Sequence, residues 1–333
     1  MLAGGRSSEH DVSLRSGATV LDGLESGGHE TLPVVIGREG RWTATDPRIP
    51  GEGGERVEVV PGEGLLGADV AFPVLHGPFG EDGTVQGLLE CAGVPYVGAG
   101  VLASALCLDK AAFKRMMSQA GLPQVRYEVV TQAEWSTARS AALERAVTVG
   151  FPSFTKPAHL GSSVGISKAD TAAELEPALE LALAHDPTAL VEAAAIGREV
   201  ECSVIGNDKP VASEPGEVVT VGGDWYDFDS KYTAGGMELR VPAPIEPAQL
   251  ERVRRIATDA FRESGCAGLA RVDFFVTDDG RVLLNELNTM PGFTETSVFA
   301  KLFDASGLAY VELLDRLLGL ALERHERAAA YLY

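Results

Sequence analysis

The sequence predicts an α/β protein whose C-terminal part becomes α+β. Two observations carry this. In the N-terminal third, short apolar runs at 31–37 (TLPVVIG), 68–77 (ADVAFPVLHG) and 93–100 (GVPYVGAG) alternate with helical patterns such as 84–92, as in a parallel sheet with crossover helices. In the C-terminal third, a helical pattern over 248–265 precedes two strand-like runs flanking Asp279-Gly280, a hairpin signal.

The elements follow in order. MLAGG leaves three residues before the first glycine pair, so the first strand is expected to be short, at an edge or truncated. GGRSSEHDVS (4–13) reads as a helix start, with Ser8 as N-cap and Asp11 closing a capping box; Glu9 then sits in the first turn. Residues 104–123 read as one helix stopped by Gly121 and Pro123. A strand at 125–130, a helix near 132–149, a strand at 151–156, a GSSVG loop, another strand and a helix at 171–185 come next. Strand 188–193 leads into IGREVECSVIG, also a strand. Leu250, Val253, Ile256, Ala257, Ala260 and Phe261 recur at helical spacing before Gly265. Strands at 269–276 and 281–288 and a helix from about 309 complete the chain.

Composition narrows the partners. Among 333 residues, 28 Lys and Arg stand against 48 Asp and Glu, a net charge of −20. That field repels phosphate backbones and argues against nucleic acid. No apolar run is long enough to cross a membrane and no signal-like stretch opens the chain. Cys91, Cys107, Cys202 and Cys266 form no C-x-x-C pair, so a zinc or redox motif is not indicated and a cytoplasmic protein is expected.

The hairpin carries the chemistry. If Asp279 and Gly280 alone form a type I′ loop, Asp273 faces Glu286 and Arg271 faces Asn288, all on one sheet face. Opposed carboxylates repel unless a proton or cation lies between them. Mg²⁺ accepts such hard oxygens and keeps positions for substrate phosphates. A three-residue loop would put Asp273 on the other face unless a bulge intervened. A solvated charge ladder is the plain alternative.

Other segments are weaker alone. TKPAHLGSSVGIS (155–167) sets Lys156 at a strand end before a Gly-Ser loop suited to an anion, and it lacks the Walker pattern. LVEAAAIGREVECSV (190–204) spaces Glu192 and Glu199 around Gly197; it reads equally as a base-and-ribose grip or a strand–turn–strand with exposed acids. LHGPFGEDG (75–83) follows an apolar strand, where α/β folds collect ligand loops. WYDFDSKYTAGG (225–236) has the composition of a lid.

Taken in order, GGRSSEHDVSLRSG, LHGPFGEDGTVQG, DKAAFK, KPAHLGSSVGISK, GREVECSV, YDFDSKY, ARVDFF and NELNTMPGFTETS resemble the signatures of the D-alanine–D-alanine ligase family of the ATP-grasp superfamily, across essentially the whole chain. The resemblance implies an ATP-grasp fold with an N-terminal pre-ATP-grasp domain at 1–102, a central subdomain at 103–189 and a C-terminal subdomain with metal site and lid at 190–333. It implies ATP on Lys110, Lys156 and the Ser162-Ser163 loop, with Glu192, Ala193 and Ala195 at adenine, Glu199 at ribose and Lys231 at the γ-phosphate. Asp273, Glu286 and Asn288 would hold two Mg²⁺ ions, or Mn²⁺. Glu9, His76, Arg271, Gly292 and Ser297 would contact D-alanine or its intermediates. Glu9, Ser162, Tyr232, Arg271 and Ser297 would be catalytic. The implied reaction joins two D-alanines through an acylphosphate for peptidoglycan precursors, in a homodimer. D-serine or D-lactate as acceptor, or a silent nucleotide-binding protein, are the competing expectations.

Overall fold

The computed structural model describes residues 1–49, 54–161, 164–220, 237–294 and 297–331. Its N-terminal sheet contains β1 (Leu2–Gly4), β2 (Val34–Ile36), β3 (Trp42–Ala44) and β4 (Glu55–Arg56), in that order, with β1 and β2 parallel. β1 is not an edge. On its other side the Leu2 amide donates to the Phe72 carbonyl at 2.8 Å and Val74 N–H to the Leu2 carbonyl at 2.9 Å. Ala71 in turn bridges Tyr96 in parallel. The runs at 68–77 and 93–100 therefore lie in the sheet as isolated bridges. Pro73 and Pro95, which lack an N–H, keep the ladders short.

Helix α1 (His10–Ser26) packs on this sheet. Its N-cap is Glu9, without a side-chain cap bond, so the expected Ser8 capping box does not form. Ser7 supplies the reason: its hydroxyl accepts the Glu9 amide at 3.1 Å and donates to the His76 carbonyl at 2.6 Å. That turn delays the helix and leaves Ser8 exposed. Helix α2 (Thr84–Ala92) starts and stops at left-handed Gly83 and Gly93.

The single helix expected over 104–123 is two, α3 (Val101–Leu108) and α4 (Lys110–Gln119). Asp109 breaks the run at ψ 94° and caps α4, accepting the amides of Ala111 and Ala112. The central sheet joins β5 (Tyr127–Thr131), β6 (Ser153–Pro157), β7 (Ser167–Ala169) and β8 (Thr188–Ala193) in the order β5-β8-β6-β7. The helix expected near 132–149 splits at Ala138 into α5 (Gln132–Thr137) and α6 (Arg139–Val147). Helix α7 (Ala172–His185) precedes β8. Because β8 is the inner partner of both β5 and β6, a boundary at 189/190 would cut a strand; the chain leaves this sheet at 194–196.

The third sheet is antiparallel: β9 (Gly197–Gly206), β10 (Val211–Ala212), β11 (Gly216–Thr220), β12 (Met237–Arg240), β13 (Gly268–Thr277) and β14 (Val282–Asn288), ordered β12-β11-β9-β13-β14 with β10 on β9. Helix α8 (Pro247–Glu263) opens with Pro247 and a reciprocal Glu246/Gln249 capping box. Its buried Val253, Ile256, Ala257, Ala260 and Phe261 pack on Val200, Cys202, Val272 and Phe274. Helices α9 (Val298–Ala305) and α10 (Tyr310–Ala329) follow. Leu313, Leu314 and Leu317 of α10 join Val20, Leu21 and Leu24 of α1 in one cluster. A Cβ on Gly23 would lie 2.5 Å from Leu314, so the glycine permits this close crossing.

Candidate active site

The β13–β14 hairpin does not have the two-residue loop the sequence suggested. Thr277 N–H donates to the Arg281 carbonyl at 2.9 Å, Gly280 N–H to the Thr277 carbonyl at 2.8 Å, and Gly280 adopts φ 87°. Asp278, Asp279 and Gly280 thus form the loop, and Val276 pairs with Val282. A bulge between Asp273 and Phe274 passes over Asn285 and shifts the register by one residue. Beyond it Asp273 faces Glu286 and Arg271 faces Asn288. The expected pairing is present, produced by loop and bulge together.

Strand β9 adds a residue that sequence reasoning missed. Glu201 pairs with Asp273 from the opposite side, so Glu201, Asp273 and Glu286 form a row across three strands. The alternation of GREVECSV was its signal, since Glu199 and Glu201 share a face. Arg271 neutralises the row. Its Nε and Nη2 donate to the two oxygens of Asp273 at 2.8 and 2.7 Å, and Nε lies 2.9 Å from Glu201 Oε2. Asn288 Nδ2 donates to Asp273 at 3.1 Å. Lys110 reaches in from α4, 3.8 Å from Glu286 Oε2 and 2.9 Å from the Leu160 carbonyl.

This donor set fits a hard divalent cation: two carboxylates and an amide on one face, beside cations that would hold substrate phosphates. No group of three His, Cys, Asp or Glu forms a metal cage among the described residues. A cation here would take its remaining ligands from phosphate or water, as Mg²⁺ does.

A second cluster lies under the central sheet. Glu192 on β8 receives Lys156 Nζ at 2.7 Å and Lys114 Nζ at 2.9 Å, and all three side chains are buried. Burial pushes the Glu192 carboxyl up, but the two ammonium groups outweigh it and hold the carboxyl below the usual range. Burial lowers the Lys114 ammonium despite that carboxylate. Two cations on one carboxylate leave a surplus positive charge for an anionic ligand. Lys114 was missed because its helix face carries Ala111, Phe113 and Met117; its i,i+4 spacing from Lys110 was the available signal. Ala193 has its N–H committed to the Arg126 carbonyl at 2.9 Å. Ala195 is half-buried in the connection to β9, and Glu199 lies on β9 opposite Phe275 and Val218.

At the third end, buried Glu9 stands beside Gly77, where a Cβ would come within 2.6 Å of its carboxylate. His76 is buried between the Met290 carbonyl (3.2 Å) and the Ser16 hydroxyl (3.0 Å), and burial lowers its pKa. Glu81, also on this cavity, accepts the Gly77 amide at 2.5 Å. Burial and the nearby Glu9 push it up to about 8. Gly292 lies close against Ser297: a Cβ there would come within 2.6 Å of Ser297 Oγ, so a side chain would displace that hydroxyl. The Ser297 hydroxyl accepts the Thr294 amide at 3.0 Å at the start of α9. Glu9, His76, Lys110, Glu201, Arg271, Glu286, Asn288, Gly292 and Ser297 line one cavity. Ser162, Ser163, Lys231 and Tyr232 lie outside the described residues.

Two family models account for most of the sequence. The D-ala D-ala ligase N-terminus matches residues 1–99, and the D-ala D-ala ligase C-terminus matches residues 116–319. The chain belongs to the D-alanine–D-alanine ligase family. This member of the family is 48% identical over 333 residues to the D-alanine–D-alanine ligase of Deinococcus radiodurans, covering 97% of this chain and 98% of the relative. It is 42% identical to D-alanine–D-alanine ligase A of Chromobacterium violaceum, covering 97% and 94%. Among solved structures it is similar to the D-alanine–D-alanine ligase of Coxiella burnetii, with TM-score 0.86, 32% identity and coverage of 98% and 96%. It is similar as well to the VanG D-Ala:D-Ser ligase of Enterococcus faecalis, with TM-score 0.85, 33% identity and coverage of 96% and 98%. The ligase-family fold is ATP-grasp, and the three sheets described above are its α/β frame.

Proposed function

We propose that this chain joins two D-alanine molecules, with ATP cleaved to ADP and phosphate, and so makes D-alanyl-D-alanine for peptidoglycan precursors. The observation that carries the proposal is the Glu201–Asp273–Glu286 row with Arg271 laid across it, beside Lys110 and the cavity that Glu9, His76 and Ser297 also line. Family membership supplies the substrate class.

In this reading a carboxylate oxygen of the first D-alanine attacks the γ-phosphorus, ADP leaves, and an acylphosphate forms. The amine of the second D-alanine attacks the acyl carbon, and phosphate leaves through a tetrahedral intermediate. Lys110 and Lys156 bind phosphate oxygens, with Lys231, Ser162 and Ser163 assigned to the same phosphates by the family resemblance. Glu192, Ala193 and Ala195 hold adenine and Glu199 the ribose. Glu9 orients the first substrate's ammonium, and His76 lies beside it. Arg271 moves its guanidinium from Asp273 to the developing oxyanion, held meanwhile by Glu201. Gly292 and Ser297 receive the second substrate's carboxylate. Asp273, Glu286 and Asn288 would hold Mg²⁺ or Mn²⁺, which supplies charge neutralisation at the transferring phosphoryl group. Tyr232 is assigned a catalytic part by the family resemblance alone.

Among the described residues no helix is long and apolar enough to cross a membrane. We place the enzyme in the cytoplasm as a homodimer, with small molecules as its only substrates. The test is phosphate release from ATP with D-alanine, D-serine and D-lactate offered in turn, with product mass measured. Release that depends on D-alanine and yields its dipeptide supports the proposal. The VanG likeness makes the D-serine arm essential: a mixed dipeptide formed in preference would reassign the acceptor.

A further inference from the structure

We propose that His159, as an imidazolium, is a positioning residue that pins the strand-to-loop stem at 158–161 onto the start of α4 and so sets Lys110 for nucleotide phosphates. The inference rests on the ATP reading above and concerns a residue to which that reading gives no part.

The stem is the exit of β6, immediately after Lys156. The imidazole lies between two carboxylates that belong to different parts of the fold. Nδ1 is 3.0 Å from both oxygens of Asp186, at the α7–β8 junction, and Nε2 is 3.4 Å from Asp109 Oδ2, at the α3–α4 junction. Both carboxylates are fixed by other bonds. Asp186 is buried and also accepts the amides of His159 and Thr188 at 2.8 Å each. Asp109 caps α4 through the amides of Ala111 and Ala112. The same stem touches α4 twice more: Lys110 N–H donates to the Ala158 carbonyl at 3.1 Å, and Lys110 Nζ to the Leu160 carbonyl at 2.9 Å. The bridge therefore joins helix, stem and sheet at the point where Lys110 is aimed.

Charge is what the bridge needs. A neutral imidazole has one N–H and satisfies one carboxylate; an imidazolium donates to both. The Asp109 and Asp186 bonds raise the His159 pKa to about 10. Of the other charged groups, Lys110 on α4 lies on the Leu160 carbonyl, one residue along the stem, and His185 at the end of α7 lies beside Gly165. With the side chain 41% exposed, the effect on binding is modest.

The experiment uses the full chain. Binding of ATP with Mg²⁺, without D-alanine, is measured for wild type, His159→Gln and His159→Arg, alongside steady-state kinetics and far-UV spectra. His159→Gln is expected to weaken ATP binding and raise KM for ATP by roughly three- to tenfold. Its KM for D-alanine and its kcat should stay within about twofold. His159→Arg, which keeps a charge, should recover most of the loss. In wild type the His159 Cε1–H resonance should titrate above about pH 8, and Asp109→Asn should move it back towards about 6.5. Unchanged ATP affinity in a folded His159→Gln variant, or an ordinary titration in wild type, overturns the inference. Wild type that binds no ATP overturns the nucleotide reading itself, and this inference with it.

Discussion

Glu286 meets Asp273 across the hairpin and Lys110 from the facing helix, so its charge is held by geometry from two sides. Glu286→Gln keeps the volume and removes the charge. We expect ATP-dependent coupling to fall by about 10²–10³-fold or more with an unchanged fold, measured as phosphate release; full activity would remove Glu286 from the proposed cation site. Glu192 is a structural matter as well as a binding one, because Lys114 and Lys156 are buried on it. Glu192→Gln leaves two buried ammonium groups without a counter-charge and should cost about 3–5 kcal/mol in denaturant unfolding. Glu81 sets a pH dependence of known sign. Its folded pKa, about 8, lies above the unfolded value. The folded chain keeps a proton that the unfolded chain has released, so this stability is complete below the unfolded pKa and is lost as pH rises towards 8. Glu81→Gln should melt above wild type at about pH 8 and level with it at about pH 4. These residues were unequally legible. The acids of the hairpin stand out as polar residues in an apolar run, whereas Lys114 hides on an apolar helix face and Glu201 among exposed-looking acids.

At the scale of the element, the hairpin has two irregularities that compensate. A three-residue loop alone would turn Asp273 away from Glu286, and a bulge alone would do the same. Together they restore the pairing. Deleting Asn285 removes the bulge and leaves the loop; Glu286 then follows Leu284 directly and still pairs with Asp273. We expect coupling activity, measured as phosphate release, to survive the deletion. Its loss in a folded variant would show that the bulge itself, and not the pairing alone, sets the geometry of the acids. The same distinction separates the helices that were legible from those that were not. Helix α8 carries its periodicity, its proline start and its glycine stop in one continuous stretch. The break at Asp109 was not visible, because the residues on either side are good helix formers. Asp109 ends the run only when its side chain caps the next helix and meets His159. Helix α9 was overlooked although Val298, Phe299, Leu302 and Phe303 are spaced for one buried face.

Across the whole molecule, the cavity exists because the N-terminal sheet is locked to the C-terminal part. His76 reaches the Met290 carbonyl, and Arg324 on α10 donates to the carbonyls of Gly98 and Tyr96 while stacking 4.2 Å over the Tyr96 ring. Arg324→Ala removes two hydrogen bonds and a cation–π contact. We expect a melting temperature lower by roughly 2–3 °C, read by calorimetry. The sequence by itself determined the main strands and helices of the central and C-terminal parts, and the shared face of Glu286 and Asn288 on their strand. It also determined the family, because alternation, caps and motifs are local properties of the chain. The tertiary structure alone decided the rest. It made β1 an inner strand, brought Glu201 into the row, buried Lys114 against Glu192, and set Glu9 and His76 opposite the Pro291-Gly292 turn. Each of these depends on which separate segments pack together, and backbone periodicity carries no information about that.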